Sequence, residues 1–207
     1  MKVAIINYGM GNLSSVRRAF EDIGAEAIIA NHPSSLYEVN RVVLPGVGAF
    51  AEGMAHLNHG GWIPALHDVV AHQHKPLLGI CLGMQMLATN GLEGGSSQGL
   101  GLIPGMVQKI DILGYKLRIP HVGWNEVHYK TEDVIFKGIP DSSDFYFVHS
   151  YAFAPEDDKH LIATVSYGLD VAAVIRNGHI FGCQFHPEKS SKAGRQLLKN
   201  FMGYPPC

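Results

Sequence analysis

Apolar residues fall in short, nearly unbroken blocks through the first half of the chain, separated by longer stretches with helical spacing. Lys2–Asn7, Ala25–Ala30, Val42–Leu44 and Leu77–Ile80 are such blocks, and runs of this kind read as strands buried on both faces. Between the first two, Leu13, Val16, Phe20 and Ile23 share one helical face, with Gly24 as a stop signal. Helical patterns recur around Phe50–Leu57 and Ile63–His72, and Leu82–Leu87 is made of good helix formers. Strands alternating with helices predict a parallel sheet covered on both sides.

Beyond about residue 100 the texture changes. Met106–Asp111, Tyr115–Ile119, Asn125–Lys130, Asp144–Phe153, Leu161–Tyr167 and Val171–Phe185 are strand-like with turn residues between them, and Asn177-Gly178 is a type I′ hairpin signal. These segments predict antiparallel ribbons added to the sheet. A last helix, Ser190–Met202, turns Leu197, Leu198 and Phe201 inward. No repeat, low-complexity tract or linker breaks residues 1–207. The expected fold is α/β: a single open, mostly parallel sheet flanked by helices, with antiparallel extensions in the C-terminal half, in one domain.

Composition narrows the function. Sixteen Lys and Arg against eighteen Asp and Glu leave a formal charge of −2, with no block of like charge, so binding of nucleic acid through a basic surface has no support. Cys81, Cys183 and Cys207 are odd in number and widely spaced, which argues against a disulfide framework and fits a reducing, cytoplasmic setting. No apolar run approaches the ~20 residues of a membrane span, and the N-terminus enters a strand rather than a signal peptide. His56, His59, His67, His72 and His74 are dense but lack a ligand-like pattern with carboxylates, so they read as solvated surface rather than a metal site. Gly9-Met10-Gly11 does not continue as G-x-G-x-x-G, because Ser14 stands at the last position, and there is no P-loop. No metal or cofactor is expected.

Candidate chemistry gathers where strands end, the place where open parallel sheets bind ligands. Leu77–Ile80 runs into Cys81, flanked by Gly79 and Gly83, and then into a helix. That turn puts a thiol near the positive end of a helix dipole and leaves the N–H of Leu82 free to meet an oxyanion. A free cysteine is also commonly a small buried hydrophobe, and the turn alone does not separate the two readings. Pro45-Gly-Val-Gly-Ala-Phe50 follows the third strand, and its glycines let the backbone approach a ligand and turn an N–H towards it. Phe181-Gly-Cys-Gln-Phe-His186-Pro-Glu188 supplies a histidine with a carboxylate two residues on, able to hold the imidazole. A thiol, a base and an orienting acid are the parts of a generalised triad. Cys183 reads as a buried, inert thiol, and Cys207 as structurally unimportant.

Gly79-Ile-Cys-Leu-Gly-Met-Gln85 with His186-Pro-Glu188 resembles the class I, or triad, glutamine amidotransferases. Asn7-Tyr-Gly-Met-Gly-Asn12, Pro45–Phe50, Pro120-His-Val-Gly-Trp-Asn125, Phe147-Val-His-Ser-Tyr151 and Gln184–Lys189 extend the likeness from end to end, towards glutaminase subunits that feed a (β/α)₈-barrel cyclase in histidine biosynthesis. The resemblance implies that Cys81 attacks the side-chain amide of L-glutamine, with His186 as base and Glu188 as its orienting acid. It implies an oxyanion hole of the Leu82 and Val47 N–H groups, and glutamine binding by Gly48, Gln85, His149, Ser150 and Tyr151. Asn12, Trp124 and Lys189 fall in motifs that face the barrel partner in that family. An alternative is a paralogue that passes ammonia to a cyclase-like partner for amidation of a surface-polysaccharide sugar.

Overall fold

The apolar blocks become strands, and the computed structural model describes residues 1–110 and 118–205. In chain order the first elements are β1 (Lys2–Ile6), α1 (Leu13–Glu21), β2 (Glu26–Ala30), β3 (Arg41–Leu44), α2 (Phe50–His59), α3 (Trp62–His67), β4 (Leu77–Ile80) and α4 (Leu82–Gln85). Then follow β5 (Asn90–Gly91), β6 (Ser97–Gln98), β7 (Gly105–Lys109), β8 (His121–Tyr129), β9 (Ser143–His149), β10 (Tyr151–Pro155), β11 (Leu161–Ser166), β12 (Asp170–Asn177), β13 (Ile180–Cys183) and α5 (Ser191–Gly203).

A nine-stranded sheet has the order β2-β1-β3-β4-β13-β12-β11-β8-β9. Its first five strands run parallel, and antiparallel pairing takes over from β12. Alternation within β1 shows why both faces are covered. Val3 and Ile5 pack with Val16 and Phe20 of α1 and Leu197, Leu198 and Phe201 of α5. Ala4 and Ile6 point the other way, into a cluster with Phe50, Met54 and Leu57 of α2 and Trp62 and Leu66 of α3. Arg41, the first residue of β3, is buried and donates to the Phe201 carbonyl at 3.0 Å and to that of Tyr204, closing the C-terminal end of α5. No helix among the described residues is long and apolar enough to cross a membrane.

Register carries the fold to its site. Leu44 pairs with Gly79, Gly79 with Gly182, and Ile80 with Cys183. The carboxyl ends of β3, β4 and β13 are therefore level neighbours, and the segments that leave them share one edge.

Several expectations change in detail. Asp144–Phe153 is not one strand: it breaks at Ser150 into β9 and β10, and β10 joins a separate four-stranded sheet of order β10-β7-β5-β6. The two-residue strands β5 and β6 are too short to show any period. The hairpin loop after β12 is Gly178-His179 rather than Asn177-Gly178, because Asn177 pairs with Ile180. Of these residues only Gly178 has positive φ, +60°, the pattern of a type II′ turn with glycine first. The helix after Cys81 stops at Gln85, and the pattern at Ile63–His72 ends in one π-helical turn, Asp68–His72. Asp111 of the expected strand Met106–Asp111, residues 115–117 of the expected strand Tyr115–Ile119, and Cys207 lie outside the described residues.

Candidate active site

The elbow at Cys81 is set by close packing on either side of it. Cys81 has φ +54° and ψ −109°, a conformation that costs a non-glycine residue about 1–3 kcal/mol. Its N–H donates to the Cys183 carbonyl at 2.8 Å, which ties the turn to β13. A β-carbon at Gly83 would stand 1.7 Å from the Leu44 carbonyl oxygen, and one at Gly79 would stand 2.7 Å from the Gly83 oxygen. The glycines flanking Cys81 thus let α4 lie directly on β3 and β4. As the first residue of α4, Leu82 has an N–H without an intrahelical acceptor.

His186 and Glu188 leave the end of β13 beside this turn. His186 Nδ1 and Glu188 Oε1 are 2.7 Å apart, and both side chains are buried. Neither His186 Nε2 nor Glu188 Oε2 has a hydrogen-bond partner. Burial disfavours the imidazolium, but the neighbouring Cys81 and the Glu188 carboxylate outweigh it and push the His186 pKa up to about 9. The Cys81 thiol lies 3.9 Å from the Val148 carbonyl and accepts from Gln184 Nε2 at 3.7 Å. With the carboxylate on Nδ1, the imidazole is oriented to hold a proton drawn from a thiol and give it to a leaving group. Cys183 is wholly buried, and burial raises its pKa well above that of a free thiol.

A cleft of about 490 Å³ opens over Cys81 and is lined by Leu82, Gln85 and His186, with Val47 and Gly48 on one side. His149, Ser150 and Tyr151 also line it. Gln85 is buried, and its Nε2 donates to the Tyr151 carbonyl at 2.9 Å and to Gln184 Oε1 at 3.0 Å. Its amide nitrogen is thus consumed by the scaffold, leaving the carbonyl oxygen as the polar group for the cleft. The three expected triad residues, the two oxyanion candidates and all five expected glutamine-binding residues line this one cleft or, for Glu188, stand directly behind His186.

The three residues expected to face a partner lie apart from the cleft floor. Asn12 is exposed and caps α1, accepting from the Ser15 N–H at 3.3 Å. Trp124 is 50% exposed and meets Tyr146 edge-on at 6.0 Å, while Lys189 Nζ sits 5.7 Å above the same Tyr146 ring. Of the five dense histidines, four are exposed and His67 is half-buried. They are not all simply solvated: His56 Nδ1 lies 3.0 Å from the Tyr8 carbonyl, and His72 pairs with Asp68 one helical turn away at 3.2 Å. Among the described residues no cluster of His, Cys, Asp or Glu could hold a metal ion.

Two features of the cleft were not singled out in the sequence. Glu93 lines it, and its Oε2 accepts the Phe50 N–H at 2.8 Å. No motif marks this residue, because it reaches the cleft through the small sheet. The second is the chain of contacts that ties His149, an expected cleft residue, back to His121 and Asn125. Asn125 Nδ2 lies 2.6 Å from His121 Nε2, His121 Nδ1 lies 2.9 Å from His149 Nε2, and His149 Nδ1 lies 2.8 Å from the Tyr151 carbonyl. Burial lowers the pKa of His121 to about 4 and of His149 to about 3, so both are neutral at pH 7. A carbonyl can only accept, so His149 carries its proton on Nδ1, His121 must donate from its own Nδ1, and Asn125 donates to His121. The Tyr151 carbonyl at the end of this chain is the one shared with Gln85.

A thiol on a strand–turn–helix elbow, with a buried His–Glu pair beside it at the carboxyl edge of an α/β sheet, defines a nucleophile-elbow protein. The chain belongs to the class-I glutamine amidotransferase family, whose model, "Glutamine amidotransferase class-I", matches residues 4–203. Curated relatives sharpen the placement. The chain is 45% identical over 199 residues to "Imidazole glycerol phosphate synthase subunit HisH" of Moorella thermoacetica, covering 96% of this chain and 93% of that one. It is 47% identical to the protein of the same name from Desulfitobacterium hafniense (96% and 92% covered) and 46% identical to subunit HisH 1 of Campylobacter jejuni (97% and 98%). Among solved structures, "Structure of PurLQS from Thermotoga maritima" superposes with a TM-score of 0.76 at 18% identity, covering 98% of each chain, a likeness of fold.

Proposed function

We propose that this chain, acting as one cytoplasmic amidotransferase domain, is the glutaminase subunit of an imidazole glycerol phosphate synthase. It hydrolyses L-glutamine to L-glutamate and ammonia and hands the ammonia to a (β/α)₈-barrel cyclase subunit in histidine biosynthesis. The observation that carries the reading is the Cys81–His186–Glu188 set in one cleft, in a chain whose relatives named above are all subunits of that synthase. Those names favour the histidine pathway over amidation of a surface-polysaccharide sugar.

The chemistry follows from the positions. Cys81 sulfur attacks the carboxamide carbon, its proton already held on His186. The tetrahedral oxyanion is met by the N–H of Leu82 and that of Val47, and one such donor is worth about 3 kcal/mol of barrier. Collapse breaks the C–N bond, His186 protonates the departing nitrogen, and a γ-glutamyl thioester remains. Water then attacks with His186 as base, releasing glutamate and restoring the thiol. The neutral Gln85 Oε1 accepts from the substrate ammonium and the Glu93 carboxylate faces it with negative charge, while backbone at Gly48 and Ser150–Tyr151 takes its carboxylate end. Asn12, Trp124 and Lys189 belong to the face that meets the barrel.

The test is glutamate release from glutamine, with and without the barrel subunit and its nucleotide ligand. Stimulation by the barrel and loss of activity in Cys81→Ala are expected. Activity that no barrel partner changes would sink the synthase reading, and an active Cys81→Ala would sink the mechanism.

A further inference from the structure

Tyr8 follows β1, and its ring is only 5% exposed. Its hydroxyl is fully enclosed and makes no hydrogen bond, a state that proteins seldom leave uncompensated. The oxygen lies directly against Gly46: a β-carbon there would stand 2.3 Å from it and 3.0 Å from Leu82 Cβ. The main chain of Tyr8 cannot drift, because its carbonyl is held 3.0 Å from His56 Nδ1 on α2. Neighbouring residues press on the same loop, since a β-carbon at Gly48 would stand 2.6 Å from Met10 Cε, and one at Gly11 would stand 3.6 Å from Gly46 Cα. Residues 8–11 therefore form the back wall of the Pro45–Gly48 loop, whose front, at Val47 and Gly48, faces the cleft.

The peptide joining Gly46 to Val47 is trans, so the Gly46 carbonyl and the Val47 N–H point in opposite directions. Turning that N–H to the cleft swings the carbonyl towards the back wall. We propose that Tyr8 is a positioning residue for the oxyanion hole: its hydroxyl donates to the Gly46 carbonyl when the peptide presents the Val47 N–H to the cleft, and so stabilises the oxyanion-ready loop. Here the hydroxyl has no partner, so the Gly46 carbonyl is not turned to it. Burial, and to a lesser degree the charge of Cys81, raise the Tyr8 pKa, so the group stays a donor at every working pH. Tyr8 touches no substrate in this arrangement and acts only through the loop. The inference rests on the glutaminase reading, with Val47 as the second oxyanion donor.

Tyr8→Phe, assayed as the complex with the barrel subunit, keeps the ring and removes only the oxygen. Expected are a kcat for glutamine hydrolysis lower by about five- to tenfold, the rate equivalent of one hydrogen bond, and a KM within about twofold, since substrate binding does not use the flipped peptide. The thermal midpoint stays level or rises, because an enclosed unpartnered hydroxyl has gone. Alkylation of Cys81 by iodoacetamide, followed at the Cys81 peptide by mass spectrometry, is unchanged, because that reaction needs no oxyanion hole. An unchanged kcat overturns the proposal. So does a kcat that falls together with alkylation or with the midpoint, which would place the effect on the thiol or on packing. Wild-type complex that releases no glutamate sinks the glutaminase reading itself, whereas active wild type with equally active Tyr8→Phe sinks only the role of Tyr8.

Discussion

Gly83→Ala is the most direct probe of the elbow. The new methyl would lie 1.7 Å from the Leu44 carbonyl oxygen, and contacts of this kind essentially never fall below 3.0 Å, so something must move by at least 1.3 Å. Leu44 belongs to β3, which is paired to β1 on one side and β4 on the other, and the sheet cannot yield without breaking both ladders. The movement therefore falls on α4, and α4 begins at Leu82 and carries Gln85. Overpacking of this kind costs about 1–3 kcal/mol or more, and a displacement of about 1 Å at a reacting centre costs about 10²-fold in rate. The expected outcome is a stability loss of about 2–3 kcal/mol in urea unfolding with kcat for glutamine down by about 10²-fold or more. Gly203→Ala, where nothing lies within 4 Å, is the control and should be neutral or stabilising by up to about 1 kcal/mol. Wild-type stability and turnover in Gly83→Ala would refute the steric account of the elbow.

Glu188→Gln keeps the size of the side chain but removes the charge that orients His186, so kcat should fall by about 10²–10⁴-fold with little change in KM; an unchanged kcat would remove Glu188 from the triad. Because Cys81 is the chief neighbour holding the His186 pKa up near 9, Cys81→Ala should bring the imidazole titration down, read by NMR, and a midpoint that stays near 9 would contradict that cause. The buried pair gives the acid limb of stability. With folded values of about 4 and about 3 against 6.5, His121 and His149 add stability that is fully present above 6.5 and lost as pH falls below it. His186 has the opposite sign: its contribution is fully present below 6.5 and lost as pH rises through about 9. Between pH 7.5 and 5 the pair loses about 4 kcal/mol and His186 returns about 1, a net loss of roughly 2–3 kcal/mol. Denaturant unfolding that shows equal or greater stability at pH 5 would refute the neutral pair.

What the chain order reveals is what short-range pattern can carry. β1 to β4 and α5 follow from apolar runs and one helical face, because burial on two sides of a sheet demands those runs. Cys81, His186 and the Pro45–Gly48 loop were visible because each sits at a strand end with its own glycines or proline. Tyr8, Glu93, His121 and Asn125 carry no functional signal in the sequence, and His149 reads only as a glutamine-binding residue, not as the end of a chain. Tyr8 reads as one more aromatic until its hydroxyl is found against Gly46, thirty-eight positions away, and no bond marks the contact. Glu93 follows the two-residue strand β5, which has no period to read. The break at Ser150 carries no Gly or Pro, so nothing local announced that β9 and β10 would part into different sheets.

The two halves of the proposed oxyanion hole are built to different tolerances, and that difference decides which of them can be regulated. Leu82 is locked: its turn is bonded to Cys183, its helix lies on β3 with no room for a methyl at Gly83, and moving it would disturb the thiol as well. Val47 is 46% exposed, and behind it stands a hydroxyl with an unmade bond. Rotating one peptide at Gly46–Val47 completes one hydrogen bond to Tyr8 and disturbs no strand, a change of about 1 kcal/mol. A partner that leans on residues 8–12 can supply that much, since Asn12 is exposed at one end of the segment and Tyr8 is buried at the other. On the proposed function, control of ammonia release needs no motion of Cys81, His186 or Glu188, only an acceptor for Tyr8.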